Sequence, residues 1–324
     1  MQKFIVSEQE SGQTLEKYVK KVLNTAPLSV IYKLFRKKDI KVNGHWQKEK
    51  YVVNAGEEVS IFLTDDKFEE FKKTKEIKNN SLIKDYIIYE DDNVILINKP
   101  RGLLVQKANS DDEALDTMVI SYLVEKGEYD PNKDLGYVPA PCHRLDRNTA
   151  GIVVFGKNLK TLQYLSTVMS DKSKIEKKYY VLVKGHIDIE GEITAPLFKK
   201  QTHVEVDYQN GKEAITKYKL VRYVGDYSLV EVTLLTGRTH QIRVHFSYIN
   251  HPVVGDAKYG DFSLNKEIEK KYKFKNQFLI AYHLAFNDMV SPLDNLNGKV
   301  FEVPLLGEYL DLINNLDDII NKQG

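Results

Sequence analysis

Leu15, Tyr18, Val19, Val22 and Leu23 recur at helical spacing behind Thr14, whose hydroxyl can accept from the N–H groups of a first turn. That pattern predicts a helix. A second is predicted from Pro27 and Ser29 onward, with Val30, Leu34 and Phe35 inside. Asn43-Gly44 follows, and both residues tolerate positive φ, so a tight turn is expected beside the strand segments KVNG and EEVSIF. The stretch TDDKFEEFKKTKEIKNNS is dense in charge and poor in aliphatic residues. It reads as an exposed linker, or as a surface helix with ion pairs four residues apart.

From Leu82 the apolar pattern resumes as strands: DNVILINKP, GIVVF, YYVLVKG, and ITKYKLVRYVGDYSLVEVTLL, two strands joined at Val224-Gly225-Asp226. Helices lie between them. Leu159, Leu162, Leu165 and Met169 share a face behind Asn158, and a last helix over about 308–321 carries Leu310, Leu312, Ile313 and Leu316. Strands joined by hairpins, with helices inserted, predict an α+β fold rather than a doubly wound parallel sheet. The expected organisation is a front domain over 1–63, a charged linker over 64–82 and a larger domain over 83–324.

Composition narrows the class. With 42% hydrophobic and 29% charged residues the 324-residue chain can build a real core. Its longest apolar runs, such as 94–97 and 152–155, are far too short to cross a bilayer, and its start lacks an apolar signal segment. A cytoplasmic protein is expected, with no membrane partner. The single cysteine, Cys142, excludes an intrachain disulfide and a cysteine-cluster zinc site. Net charge is only +1, but residues 1–63 carry +4. Lys33, Arg36, Lys37, Lys38 and Lys41 cluster at the end and outer side of the second helix. Such a surface suits phosphates, and it is equally what a solvated charged face looks like.

Five segments carry candidate chemistry. In Pro141-Cys142-His143-Arg144-Leu145-Asp146-Arg147-Asn148-Thr149-Ala150-Gly151 one acid stands between two arginines, in a loop feeding the GIVVF strand. Cations keep such an acid ionised despite partial burial, and an oriented carboxylate can act as a nucleophile or stabilise a cationic carbon. Alone, the segment is more often a structural ion pair. Leu235-Thr236-Gly237-Arg238-Thr239-His240-Gln241-Ile242-Arg243-Val244-His245 leaves a strand, turns at Gly237 and enters a helix that aims Arg243 in a fixed direction, with His240 on the same face. His240 and His245 are poorly spaced for a shared metal, and none is expected. Asn98-Lys99-Pro100-Arg101-Gly102-Leu103 is a turned strand end. Lys177-Lys178-Tyr179-Tyr180-Val181-Leu182-Val183-Lys184-Gly185 puts its two tyrosines on opposite faces of one strand. His251-Pro252-Val253-Val254-Gly255-Asp256-Ala257-Lys258-Tyr259-Gly260 reads as a loop in which glycine and proline set turns. Cys142 beside His143 reads as a packing residue, because neighbours in an extended segment point apart.

Together, and in this order, NKPRGL, HRLDRNTAG, KKYYVLVKG, LTGRTHQIRVH and HPVVGDAKYG resemble the RluA-type family of RNA pseudouridine synthases, its RluC/RluD-like branch, over most of residues 83–305. Residues 1–63 resemble the small RNA-binding module shared with ribosomal protein S-four. Thr14 and Glu16 stand where that module usually has arginine and aspartate, and Ala150 stands where the catalytic family often has serine. The resemblance implies a bent, mainly antiparallel mixed sheet flanked by helices. It implies a cofactor-free isomerisation of uridine, and the front RNA-binding module favours large-subunit ribosomal RNA; a monomer is expected. By resemblance Asp146 is the catalytic carboxylate, Arg243 its positive partner and Tyr179 the aromatic that stacks on the base and helps remove the C5 proton. Arg144 would fill the space left by a flipped nucleotide, and Arg147, Arg238 and His240 join the RNA-contacting set. A transfer RNA target stays open, as does a non-catalytic RNA-binding or ribosome-assembly role. So does the choice between attack at C1′ and abstraction of a sugar proton.

Overall fold

The computed structural model describes residues 1–72, 81–109, 112–131, 134, 136–305 and 307–321. Two units divide the chain: Met1–Leu96 with Gln106–Cys142 and Val154–Ser166, and Ile97–Val105 with His143–Val153 and Thr167–Gly324. Among the described residues no helix is long and apolar enough to cross a membrane.

In the first unit Thr14 caps the helix Leu15–Val22 through the Lys17 N–H, and Leu15, Tyr18, Val19 and Val22 turn inward as their spacing predicts. The second helix, Leu28–Arg36, buries Ile31, Leu34 and Phe35. Val30 is only half-buried, because the face is centred one residue further on. Both helices share a core with a four-stranded antiparallel sheet ordered Gln2–Ile5, Glu58–Ile61, Ile40–Val42, His45–Trp46. Asn43 and Gly44 make the expected turn, with φ of 49° and 79°.

The segment expected as a linker begins as a helix, Asp65–Phe71, and Phe68 sits buried in this same core. The surface-helix alternative is therefore the one seen there, anchored by an aromatic ring; residues 73–80 lie outside the described residues. Glu10, Gln13 and Lys21 all bond to Gly136. The Gly136 N–H donates to the Glu10 carboxylate, and its carbonyl accepts from Gln13 Nε2 at 2.8 Å and Lys21 Nζ at 2.5 Å.

The second unit is built on antiparallel strands in the order Glu190–Thr194, Ile215–Val224, Tyr227–Leu234, Ile175–Lys184, Leu279–Phe286. Ile280 and Ala281 then pair in parallel with Ala150 and Gly151, which makes the sheet mixed. The hairpin at Gly225 (φ 58°) is the one expected. Tyr179 lies mid-sheet, opposite Val232 on one side and Ala281 on the other. The helix Gln241–Tyr248 buries Ile242 and Phe246 in the cluster that holds Tyr179, Val181 and Val230. In the last helix, Glu308–Asn321, Tyr309, Leu312, Ile313 and Leu316 turn inward, while Leu310 is 38% exposed, against expectation.

Gly151 shows why the HRLDRNTAG segment ends in glycine. Its φ is +113°, and a Cβ there would stand 2.2 Å from the Ala281 carbonyl oxygen. Gly151→Ala is expected to cost about 3 kcal/mol, from backbone strain and a clash that rigid strand backbone cannot relieve. Urea unfolding of the two proteins measures it.

Candidate active site

All the residues of this site lie in the second unit. The Asp146 loop is held by its backbone. The Arg147 carbonyl accepts from Gly102 N–H at 2.9 Å and from Lys99 Nζ at 3.0 Å. Lys99 is fully buried and also donates to the carbonyls of Pro100 and Leu103, at 3.0 and 2.9 Å. Burial pushes its ammonium down to about 7, against the pull of Asp146. Downstream, Thr149 N–H closes onto the Asp146 carbonyl at 3.1 Å, and Gln277 Nε2 donates to the Thr149 hydroxyl at 3.1 Å. The NKPRGL turn thus serves as the floor on which the acidic loop rests.

On that floor the Asp146 side chain keeps 28% exposure and accepts from Arg243 Nη1 at 2.8 Å. Arg243 itself is buried, and its other edge is occupied. Nε and Nη2 donate to the two oxygens of Asp256 at 2.7 and 2.9 Å. Burial alone would push the Asp256 carboxyl up; the guanidinium outweighs it and holds the acid below its ordinary range. Burial would likewise pull Arg243 down, and the two carboxylates raise it instead. Tyr179 is 8% exposed, and burial with the Asp146 charge pushes its phenol up to about 12, so the ring is neutral. Tyr180 points the other way and stacks on Tyr282 at 3.7 Å, as strand alternation requires. The outcome is one accessible carboxylate, hydrogen-bonded to a guanidinium, near a neutral aromatic ring. That set can form or stabilise a bond at an electrophilic carbon while a planar ring is held nearby.

The family model for RNA pseudouridylate synthase matches residues 93–248, which span Asp146, Tyr179 and Arg243. An RNA pseudouridine synthase of uncharacterised role from Mycoplasma capricolum is 33% identical over 318 residues, 93% of this chain and 96% of that protein. The chain belongs to the RNA pseudouridylate synthase family. The ribosomal large subunit pseudouridine synthase C of Escherichia coli K12 is 30% identical over 292 residues, 87% of each chain. A structure of human RNA pseudouridylate synthase domain containing 4 shares the fold, with a TM-score of 0.56 at 20% identity over 72% of this chain and 94% of that one. The protein is thus an RNA pseudouridine synthase, an isomerase.

Of the other expected residues, His240 is brought beside Asp146. His240 opens the Arg243 helix in the left-handed region (φ 53°). Tyr259 Oη accepts from Val204 N–H at 3.1 Å and lies 2.7 Å from His240 Nδ1. The other ring nitrogen, Nε2, stands 3.8 Å from Asp146 Oδ2. Burial pushes this imidazole below its ordinary range, against the pull of Asp146. Arg144 and Arg147 are exposed beside Asp146 in sequence. Arg238 is exposed, with Nε on the Glu213 carbonyl at 2.9 Å. His245 is structural: it is fully buried between Thr216 Oγ1 and the Ala195 carbonyl, each at 2.9 Å. Among the described residues no cluster of three metal-ligating side chains occurs.

The front cations lie in the first unit. Lys33, Arg36, Lys37 and Lys38 are exposed, and Lys41 is half-buried with its ammonium 5.0 Å from the Phe62 ring. Asp256 and Tyr259 lie in the His251–Gly260 segment, whose glycines and proline predict turns rather than a site. An acid between two glycines, in a loop following the Arg243 helix, was the available signal. Arg101 of NKPRGL turns out to be structural: its guanidinium packs on Phe274 at 5.0 Å and pairs with Glu308.

Proposed function

We propose that this synthase converts uridines of large-subunit ribosomal RNA to pseudouridine, with Asp146 as the attacking or proton-abstracting carboxylate. The observation that carries the reading is the 2.8 Å contact between a partly exposed Asp146 and a buried, doubly anchored Arg243. The choice of RNA rests on relatives whose names state the ribosomal large subunit.

The reaction breaks the N1–C1′ bond, forms a C5–C1′ bond, and moves the C5 proton off carbon while N1 regains one. Nothing is oxidised. The uracil stays bound while it turns, so the site must hold a detached base. Tyr179 offers a neutral stacking face, worth about 1–3 kcal/mol. The target nucleotide must leave its helix, which costs a few kcal/mol. Exposed Arg144 is positioned in sequence to fill the gap with a planar cation, and Arg147, Arg238 and His240 to meet the neighbouring backbone. Incubation of large-subunit and transfer RNA transcripts with the protein, followed by pseudouridine mapping, tests the reading. Conversion of the transfer RNA alone would redirect it.

The front module would hold RNA through the Lys33, Arg36, Lys37, Lys38 and Lys41 surface. Replacing Lys37 and Lys38 together by alanine is expected to weaken RNA binding and reduce the slope of log affinity against log salt by about 2, one for each phosphate that no longer meets a cation. The single-turnover rate of bound RNA should hold. Affinities at several salt concentrations give the slope.

A further inference from the structure

Arg243 has five N–H donors, and the structure divides them. The edge formed by Nε and Nη2 meets both oxygens of Asp256, at 2.7 and 2.9 Å, and only Nη1 is turned to Asp146. Asp256 has no exposed surface, so it cannot touch RNA. It is itself over-determined. Oδ1 also accepts from Lys258 N–H at 2.8 Å and Tyr259 N–H at 3.1 Å. Its carbonyl accepts from Asn265 Nδ2 at 2.9 Å and Gly260 N–H at 3.0 Å. The flanking glycines are needed for this wrap: a Cβ on Gly255 would stand 1.9 Å from the Asn276 oxygen, and one on Gly260 2.3 Å from the Asp256 oxygen. A loop so fixed has a task other than turning the chain.

We propose that Asp256 is a positioning residue of the synthase, which locks the Arg243 guanidinium in one orientation and shares its charge, so that Asp146 is aimed but not neutralised. Two physical effects support it. A free arginine has rotamer entropy to lose before it can orient a partner, and here the bidentate pair has removed that freedom in advance. The three groups together carry one net negative charge rather than none. Asp146 therefore keeps an anion's reactivity toward C1′ or a sugar proton while its direction is set. The edge of the fork facing Asp256 would otherwise be free to swing onto Asp146, burying its oxygens in two hydrogen bonds and blunting it as a nucleophile.

This proposal rests on the reading of Asp146 above, and its test separates the two. Asp256→Asn keeps the shape, retains an acceptor for Nη2 and the two backbone N–H groups, and removes the acceptor of Nε. In single turnover its rate should fall about 100-fold, the scale of a misplaced catalytic group, with RNA affinity within about twofold of wild type. Placed in an Arg243→Lys background, it should lower the rate by less than about threefold more, because the lysine has already lost the fork. A wild-type rate in Asp256→Asn, or an equal further loss in the Arg243→Lys background, overturns the proposal. So does a loss confined to RNA affinity. A readout independent of turnover is the Arg243 Nε–H signal by NMR. It should be sharp and slow to exchange in the wild type and lost in Asp256→Asn, in protein that melts as one cooperative unit. An unchanged signal overturns the proposal whether or not the protein modifies the RNA tested. Absence of pseudouridine from every RNA offered to the wild type would fail the functional reading instead.

Discussion

Asp146→Asn is expected to abolish pseudouridine formation, with the single-turnover rate down at least about 10⁴-fold, the scale seen when an acid inside a catalytic group is removed. The amide is isosteric and can still accept from Arg243 Nη1, so the 2.8 Å hydrogen bond need not break. What it lacks is the charge, and with it the ability to attack C1′ or to take a proton from the sugar. RNA affinity should change little, since Asp146 contributes no positive charge to the phosphates. Release of tritium from uracil C5, together with a filter-binding isotherm, measures both. A rate within about tenfold of wild type would remove Asp146 from the chemistry.

The second large effect is expected at Arg243. Arg243→Lys preserves the charge and loses the planar fork that bonds two carboxylates at once. A lysine ammonium can meet Asp256 or Asp146 but cannot hold both at fixed angles. The rate should drop about 100-fold, as for a group misplaced by an ångström. Stability should drop too, because Asp256 is fully buried and would keep only its backbone donors and one imperfect cation. Breaking a buried pair costs about 3–5 kcal/mol when a partner is removed outright, and a charged substitute should recover part of that. Calorimetric melting beside single-turnover kinetics separates the two losses. A fully active, equally stable Arg243→Lys protein would contradict the geometric role given to the guanidinium.

The parts of this fold that were legible in the sequence are those where local chemistry and tertiary demand agree. The helix Leu15–Val22 has a capping threonine and a single apolar face, and it forms as its spacing predicts. The Asn43-Gly44 and Gly225 turns follow from residues that tolerate positive φ. Tyr179 and Tyr180 part company by strand alternation alone, one into the site's core and one against Tyr282. Where a residue's role depends on a distant partner, the sequence was silent. Asp256 sits in a run of turn residues and looked like one of them; only the fold brings it to Arg243, thirteen residues back. The charged run after residue 63 looked solvated, and one phenylalanine, Phe68, was enough to draw its first part into a core. Lys99 is the clearest case. A lysine at a strand end reads as surface, yet three backbone carbonyls take it fully inside and make it a support of the Asp146 loop.

Pseudouridine maps compared between strains give the decisive measurement of Asp146-dependent activity. Large-subunit ribosomal RNA would be taken from cells lacking this protein and from the same cells supplied with the wild type or with Asp146→Asn. At least one uridine is expected to lose its modification in the deletion, regain it with the wild type and stay unmodified with Asp146→Asn. A deletion map identical to that of the parent cells, or full restoration by Asp146→Asn, would contradict that activity.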